Sequence, residues 1–341
     1  MWLTSSLTRR TKLTLLVLFV TTLVILLYLW WNQSQYQDVK IITSAYTHYQ
    51  QVGKVSNEVA MTKNKNRKIA LHEKCQLYRK VLPHLADNEK EYSNVIVDMQ
   101  HRIMYCPIPK AACSTWKVFF MNLLGVSVRG DIHTQAKIRL VHLSDLDPEV
   151  RQEVLRNFTK FMIVRHPFTR ILSAYRNKLE PNGTFETTHV RGPNQYYWRD
   201  RLGMEILKIY RGVKVAKSFK EHRGDYDLTF AEFVNFITDY SERRSANDRH
   251  WKEMYSICYP CDIEYDFIAK FETLGEDSKL FLWSNGLDTH VTTQDQHATN
   301  SSSFEAVMQF YQKLPLESIQ KLYERYKLDF QLFDYDPRSF Q

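Results

Sequence analysis

Two segments of this chain repeat one local pattern, in which an apolar stretch ends in a polar turn that opens a helix. The first apolar stretch is 102–108, and the turn after it is 109–117. The second stretch is 161–164, followed by the turn 165–167. A short, wholly apolar strand is typical of a parallel strand that is buried on both faces. The pattern therefore predicts an α/β fold with a central, mainly parallel sheet flanked by helices.

The residues of both turns suit phosphate-like anions. In open α/β sheets, ligands bind beyond the carboxyl ends of the strands, where helix N-termini offer N–H groups to an anion. The first turn adds the cation Lys110 and the hydroxyls of Ser114 and Thr115, and the second adds Arg165 and, farther on, Ser173. Each residue has an ordinary alternative role, because Ser and Thr cap helices and buried arginines form ion pairs. The two turns together predict two separate phosphate sites.

Apolar runs and turn signals predict the main elements. We expect strands at 94–97, 102–108, 161–164 and 268–271, and helices at 115–124, 141–156 with a second start at Pro148, 168–179 and 316–326. Thr229 and Glu232 form a capping box ahead of another helix. The tract 63–68 has no apolar rhythm, and we expect it to be exposed or disordered.

The N-terminal region predicts a membrane anchor. Residues 13–31 carry no charge and are long enough to span a bilayer as a helix. A cleaved signal peptide is the alternative, but the run is long and no small-residue cleavage site follows it. We therefore expect a cytoplasmic tail at 1–12, a single-pass anchor at 13–31, a lumenal stem at 32–90 and a catalytic domain at 91–341.

The charge of the chain favours an anionic partner. Lys and Arg number 46 against 38 Asp and Glu, and the surplus is concentrated between Arg191 and Arg223. Nucleic acid, anionic lipid and an acidic polysaccharide all fit such a surface, and a solvated helical face is the alternative. A lumenal body would not meet nucleic acid, so we expect no nucleic-acid partner.

Lumenal placement gives meaning to the sequons and the cysteines. Glycosylation is predicted at Asn32, Asn157, Asn182 and Asn300. Of five cysteines, Cys113 lies within the first turn and is expected to stay reduced, which leaves Cys75, Cys106, Cys258 and Cys261 for disulfides. Four cysteines allow three pairings, and the sequence does not choose among them. No second Cys-x-x-Cys or His pair completes a zinc site, so no metal is expected.

Further blocks follow the two turns in a fixed order. They are 173–178, 247–251, 255–261, 271–274 and 322–330. Together with the turns they resemble the Golgi carbohydrate sulfotransferases, and in particular the chondroitin 4-O-sulfotransferase branch. The resemblance runs from about residue 99 to the C-terminus. It implies a P-loop-like sulfotransferase fold and a single-pass type II protein of the Golgi membrane.

The resemblance also implies a sulfate donor, 3′-phosphoadenosine 5′-phosphosulfate (PAPS). The first turn would hold its 5′-phosphosulfate and the second its 3′-phosphate. The residues implied in donor binding are Pro109, Lys110, Ala111, Ala112, Cys113, Ser114, Thr115, Arg165, His166, Pro167, Phe168, Thr169, Arg170, Ile171, Leu172 and Ser173. The relatives usually carry an acidic residue where this chain has His166.

Sulfuryl transfer requires charge neutralisation and a base for the attacking hydroxyl. Lys110 is predicted to neutralise the leaving phosphate. His250, in the block 247–251, is the first choice for the base, because imidazole titrates in the right range; His133 and Glu272 are lesser candidates. Acceptor-binding cations are predicted at Arg176, Lys178, Arg199 and Arg201.

The predicted reaction is 4-O-sulfation of N-acetylgalactosamine in chondroitin, and other functions remain open beside it. Within the family, dermatan and terminal N-acetylgalactosamine are alternative acceptors. A nucleotide kinase or GTPase is disfavoured, because the turn lacks glycine and no GxxxxGK[ST] motif occurs. A non-catalytic lumenal glycan-binding protein of the same fold is the remaining alternative.

Overall fold

The computed structural model of the chain describes residues 57–85, 89–181, 198–221, 226–288 and 303–338. The chain divides into two compact units, Met1–Val59 and Ala60–Gln341, and the fold below is that of the second. Within the described ranges no helix has the length and apolar character needed to cross a membrane. The anchor predicted at 13–31 and the sequons at Asn32, Asn182 and Asn300 lie outside those ranges.

A five-stranded sheet forms the centre of the fold. Its strands are β1 (Ile96–Asp98), β2 (Ile103–Cys106), β3 (Val141–His142), β4 (Thr159–Val164) and β5 (Phe267–Lys270), in the order β3-β1-β2-β4-β5. Strand β4 pairs in parallel with β2 and β5, whereas β1 pairs antiparallel with β2 and β3. The sheet is therefore mixed rather than mainly parallel, because the short link between β1 and β2 permits only antiparallel pairing.

Helices cover both faces of this sheet. They are α1 (57–78), α2 (Cys113–Leu123), α3 (Ile132–Arg139), α4 (Pro148–Asn157), α5 (Pro167–Lys178), α6 (Met204–Arg211), α7 (Val213–Glu221), α8 (Phe230–Asp239), α9 (Met254–Cys258), α10 (Leu274–Ser284), α11 (Phe304–Tyr311) and α12 (Leu316–Leu332). A π-helical turn spans Trp198–Gly203, and short 3-10 turns span Glu89–Asn94, Leu143–Asp145, Ser245–Asn247 and Phe271–Thr273. The capping box of Thr229 and Glu232 is confirmed at the start of α8.

The core consists of two apolar clusters. One surrounds the sheet and includes Trp116 of α2, whose ring lies 4.6 Å from that of Phe161 and 5.4 Å from that of Phe281. The other joins α5, α6, α8, α11 and α12, with Trp251 fully buried in it. The carboxyl ends of β2 and β4 thus start two helices, α2 and α5, that belong to different clusters.

One predicted helix begins later in the structure, and one polar tract proves to be helical. The helix predicted over 141–156 begins only at Pro148, because Val141 and His142 pair with β1 as an edge strand. The tract 63–68, predicted to be exposed or disordered, is ordered within α1 and mostly exposed, and its Asn64 and Arg67 bind the body. The wider assignment of 32–90 to a stem stays a prediction.

Two disulfides connect distant parts of the chain. Cys75 of α1 pairs with Cys261, and Cys106 at the end of β2 pairs with Cys258 of α9. A local bridge within the Cys258-x-x-Cys261 motif, one of the open alternatives, is thereby excluded. Cys113 is buried and carries a free thiol, as predicted.

Candidate active site

The first turn has a backbone conformation that suits an anion. Lys110 and Ala112 both adopt left-handed conformations, with φ of 69° and 57°, although neither is glycine. Left-handed residues alternating with ordinary ones turn successive N–H groups toward one concave side, which binds anions. Helix α2 begins at Cys113, and its N-cap Ala112 has no side-chain cap. Ser114 and Thr115 lie inside the first helical turn rather than at the cap, so their hydroxyls are placed beside the unpaired N–H groups of the helix start.

Arg165 joins the second turn to the first. Its Nη1 donates to the carbonyl oxygen of Lys110 at 2.8 Å, and its Nε donates to the Thr169 hydroxyl at 3.2 Å. The guanidinium also lies 4.2 Å from the ring centre of Phe271. Arg165 is 3% exposed, so this cation is fixed between the two turns.

Arg170 supports the site from behind. Its guanidinium is fully buried and donates to the carbonyl oxygens of Pro109, Arg249 and Lys252 at 3.0, 3.1 and 2.8 Å. The side chain therefore fixes the first turn against the segment that carries His250. The other implied donor-binding residues of α5 are buried; they are Phe168, Thr169, Ile171, Leu172 and Ser173.

His166 lies in aromatic surroundings. Its ring makes edge-to-face contacts with Phe168, Phe330 and Tyr335, at 5.7, 5.2 and 5.4 Å between centroids. Burial lowers the pKa of His166 to about 4, so the ring is neutral at pH 7. A neutral imidazole suits these aromatic surroundings.

Several cations meet around the first turn. Burial, followed by the nearby charges of Lys178, Arg165 and Arg170, lowers the pKa of Lys110 to about 7. Burial likewise lowers the pKa of Lys178 to about 8. Lys178, Arg165 and Arg170 repel the ammonium of Lys110, and a bound polyanion would relieve that repulsion. The arrangement therefore fits a ligand with several phosphate-like charges.

His250 is held by a neighbouring carboxylate. Its Nδ1 lies 2.6 Å from Oδ1 of Asp248, which also accepts the backbone N–H of His250 at 2.9 Å. Burial, then Lys178 and Lys110, lower the pKa of His250 to about 4, although Asp248 raises it. A carboxylate only accepts hydrogen bonds, so the neutral ring carries its proton on Nδ1 and keeps the lone pair of Nε2. Such a ring is oriented to accept a proton.

The comparisons with known proteins agree with this geometry. The model of the sulfotransferase family matches residues 93–336, which include both turns and the His250 segment. The chain belongs to the sulfotransferase family. No solved structure matches the chain.

Relatives of this sulfotransferase are carbohydrate sulfotransferases. The chain is 36% identical to carbohydrate sulfotransferase 14 of Danio rerio over 71% of its own length and 62% of that protein's. It is 32% identical to carbohydrate sulfotransferase 11 of Mus musculus over 72% of its length and 68% of the relative's. With carbohydrate sulfotransferase 9 of Homo sapiens it shares 33% identity over 79% and 59% of the two lengths. The chain thus spans about three fifths to two thirds of these proteins.

The other candidate bases of the sulfotransferase are already engaged. Glu272 accepts the backbone N–H of His166 on one oxygen and the Tyr335 hydroxyl on the other, both at 2.8 Å. His133 lies beside Ser114 and Lys117, with ring nitrogens 3.3 and 3.2 Å from them. Among the three candidates, His250 is the one oriented by a carboxylate.

The four predicted acceptor-binding cations separate into different surroundings. Lys178 lies near Lys110 and His250 and over the ring of Trp198, 5.3 Å from its centre. Arg176 and Arg199 instead contact Glu180, through its carboxylate and its backbone oxygen respectively. Arg201 is exposed. Lys178 is therefore the one of the four that the described contacts bring to the reaction centre.

Sequence reasoning missed three residues of the site. Asp248 stands within the quoted block 247–251 but was given no role. Lys117 lies three residues after Ser114, a spacing that puts both on one face of a helix, and this signal was available. Trp198, whose ring lies 5.0 Å from that of His250, had no sequence signal, because its neighbour is 52 positions away in the chain.

Proposed function

We propose that the protein is a PAPS-dependent carbohydrate sulfotransferase that acts on the 4-hydroxyl of N-acetylgalactosamine in chondroitin. The observation that carries the proposal is the Asp248–His250 pair. Asp248 orients the His250 ring to accept a proton, and Lys110 is near enough for its charge to lower the pKa of that ring. A protein that only binds glycans would need neither this pair nor an anion-binding turn beside it. The acceptor rests on the sequence resemblance.

The proposed chemistry divides between the turn that carries Lys110 and the segment that carries His250. The donor PAPS supplies a sulfuryl group whose S–O bond to the 5′-phosphate breaks as the acceptor oxygen forms a new one. Nε2 of His250 takes the proton of the acceptor hydroxyl as that oxygen attacks. Lys110 and the N–H groups at the start of α2 stabilise the negative charge that develops on the leaving phosphate. Arg165 holds the two turns at a fixed separation.

The proposal places the catalytic body in the Golgi lumen, held by the predicted anchor at 13–31. Two disulfides are usual in an oxidising compartment and favour this location. Asn157 is exposed at the end of α4, where its Nδ2 donates to Glu153. It is a proposed glycosylation site, as are the three sequons outside the described residues.

The decisive experiment is a transfer assay with defined acceptors. The full chain is incubated with radiolabelled PAPS and, in parallel, chondroitin, desulfated dermatan, heparosan and an oligosaccharide ending in N-acetylgalactosamine. Products are digested to disaccharides and separated. We expect label in the 4-sulfated chondroitin disaccharide.

Each other result has a distinct meaning. Label in another acceptor would retain the enzyme and overturn the substrate. Absence of label from every acceptor, with desulfated nucleotide still bound, would instead favour a non-catalytic glycan-binding protein. Lys110→Ala should abolish labelling, whereas Lys313→Ala, at an exposed lysine of the same body, should not.

A further inference from the structure

Three polar side chains form a row along the start of α2. Lys117 follows Ser114 by three residues, and the two share one face of the helix. His133, near the start of α3, lies across from both. Its Nδ1 is 3.2 Å from Nζ of Lys117, and its Nε2 is 3.3 Å from Oγ of Ser114.

The chemistry of these groups sets the direction of both hydrogen bonds. A lysine ammonium carries only donors, so Nδ1 of His133 is the acceptor from Lys117. In a neutral imidazole the second nitrogen then carries the proton, and Nε2–H donates to the Ser114 oxygen. His133 is neutral at pH 7, because removal from water and then the Lys117 charge lower its pKa to about 3.

We propose that His133 is a positioning residue that directs the Ser114 hydroxyl proton toward the sulfuryl donor. The proposal rests on the sulfotransferase function proposed above and assigns a role within the same site. A serine hydroxyl has one proton and two lone pairs. When His133 occupies one lone pair, the proton of Ser114 is left for a ligand that accepts hydrogen bonds, as a phosphate or sulfuryl oxygen does.

The row also makes the Ser114 hydroxyl a stronger hydrogen-bond donor. Hydrogen bonds in a chain polarise one another, so the Lys117 ammonium polarises the His133 ring and the ring polarises the Ser114 hydroxyl. His133 lies near the reaction centre, since Lys178 and His250 are close enough to lower its pKa. The Asp131 carboxylate caps α3, where one of its oxygens accepts both the N–H and the hydroxyl of Thr134.

The two histidines of the site thus have opposite tautomers. His250 carries its proton on Nδ1, beside Asp248, and presents a lone pair on Nε2. His133 carries its proton on Nε2, beside Ser114, and presents no lone pair to an acceptor hydroxyl. The geometry therefore separates a base from a residue that orients a donor.

A double-mutant cycle tests whether His133 acts through Ser114. The dissociation constant of adenosine 3′,5′-bisphosphate is measured by calorimetry on the full chain and on His133→Phe, Ser114→Ala and the double variant. We expect His133→Phe alone to weaken binding about fivefold to tenfold, and less than about twofold when Ser114 is already alanine. Equal losses in both backgrounds would overturn the proposal.

Two further variants separate positioning from a structural role. His133→Gln keeps an amide that can accept from Lys117 and donate to Ser114, so we expect it to restore most of the affinity lost in His133→Phe. His72→Phe, at an exposed position of α1, should leave affinity unchanged. Equal loss in the Phe and Gln variants would contradict the proposal.

The tautomer itself is measured without any ligand. In full chain labelled with 15N-histidine, the nitrogen shifts of the neutral rings report which nitrogen carries the proton. We expect protonated Nε2 for His133 and protonated Nδ1 for His250. A protonated Nδ1 in His133 would overturn this proposal while leaving the sulfotransferase function untouched. Failure of the wild-type chain to bind the nucleotide would instead count against that function.

Discussion

Lys110 contributes both a cation and an unusual backbone conformation to the first turn. Its left-handed conformation directs the turn, and its carbonyl oxygen is held by Arg165. Its ammonium loses its proton more easily than a lysine in water, because burial and neighbouring cations lower its pKa to about 7. A residue of this kind is half charged in the free protein at neutral pH and gains full charge when an anion binds.

Nucleotide binding should therefore take up a proton. The bound bisphosphate favours the charged form of Lys110 and raises its pKa, so the bound state holds more protons above pH 7 than the free state. Affinity should fall with rising pH above about 7, by up to about tenfold per unit. Calorimetry at pH 8 in buffers of different ionisation enthalpy measures the uptake. Lys110→Met should reduce it, and the same uptake in that variant would refute the assignment.

The Asp248–His250 pair sets the lower pH limit of the proposed reaction. The pKa of His250 is about 4, so the ring is neutral and able to accept a proton at any pH well above that value. On the acidic side, we expect kcat/KM to stay level until about pH 4 and to fall below it. His250→Ala should lower kcat by about 10²–10⁴-fold while nucleotide affinity is retained. The matched control is His72→Ala; an acid limit near pH 6.5 would contradict the assigned environment of His250.

At the scale of elements, α1 completes the sheet. Strand β5 is an edge strand, whose outer N–H and C=O groups need partners. The Asn64 amide of α1 supplies both kinds, donating to the carbonyl oxygen of Asp266 at 2.8 Å and accepting the N–H of Ile268 at 3.0 Å. Arg67 donates to the carbonyl oxygen of Ile268 at 3.0 Å and to Asp277 at 2.7 Å. Two side chains thus replace a missing strand.

Removal of this edge cover should destabilise the body. Asn64→Ala leaves two part-buried backbone groups without their side-chain partner, so we expect a loss of about 1–3 kcal/mol in the free energy of unfolding. Asn66→Ala, two positions along the same helix but exposed, should change it by less than about 0.5 kcal/mol. Urea denaturation of both variants measures the difference. Equal stability would show that water replaces Asn64 without cost.

Local sequence patterns predicted what is decided locally. The strands within 102–108 and 161–164 and the start of α5 at Pro167 follow from apolar runs and helix-start signals, and the structure has them. The docking of α1 was not predictable in this way, because its contacts with β5 are hydrogen bonds that leave no apolar rhythm. Strand β3 has only two residues, and its pairing with β1 depends on a distant partner.

The residues of the candidate site also divide into those that a local motif indicates and those that only the fold brings together. Lys110 and His250 were singled out by their motifs, and their roles stay predictions. Lys117, His133 and Ser114 come together because α3 packs across α2, and no local pattern shows which nitrogen of a ring faces which neighbour. The role first considered for His133, as a lesser base, differs from the role that its contacts support.

At the scale of the whole molecule, one disulfide links the strand before the first turn to the helix that follows the His250 segment. Cys106 ends the strand that leads into the anion-binding turn, and Cys258 lies eight residues after His250. The bond closes a sequence separation of 152 residues, and the Cys75–Cys261 bond closes one of 186. A disulfide that closes so long a loop reduces the entropy of the unfolded chain. The Cys106–Cys258 bond also holds the strand that leads into the first turn against α9, which follows the segment that carries His250.

Loss of the Cys106–Cys258 bond should therefore weaken both stability and transfer. Replacing both residues by serine, which leaves no odd thiol, is expected to lower the free energy of unfolding by about 2–5 kcal/mol. Nucleotide affinity should fall less than kcat, because the anion-binding turn is local whereas the position of His250 depends on the bond. Cys113→Ser is the matched control for stability, since it removes a cysteine and no disulfide. Alkylation of the denatured, unreduced wild-type chain should modify Cys113 alone, and a second modified cysteine would contradict the pairing.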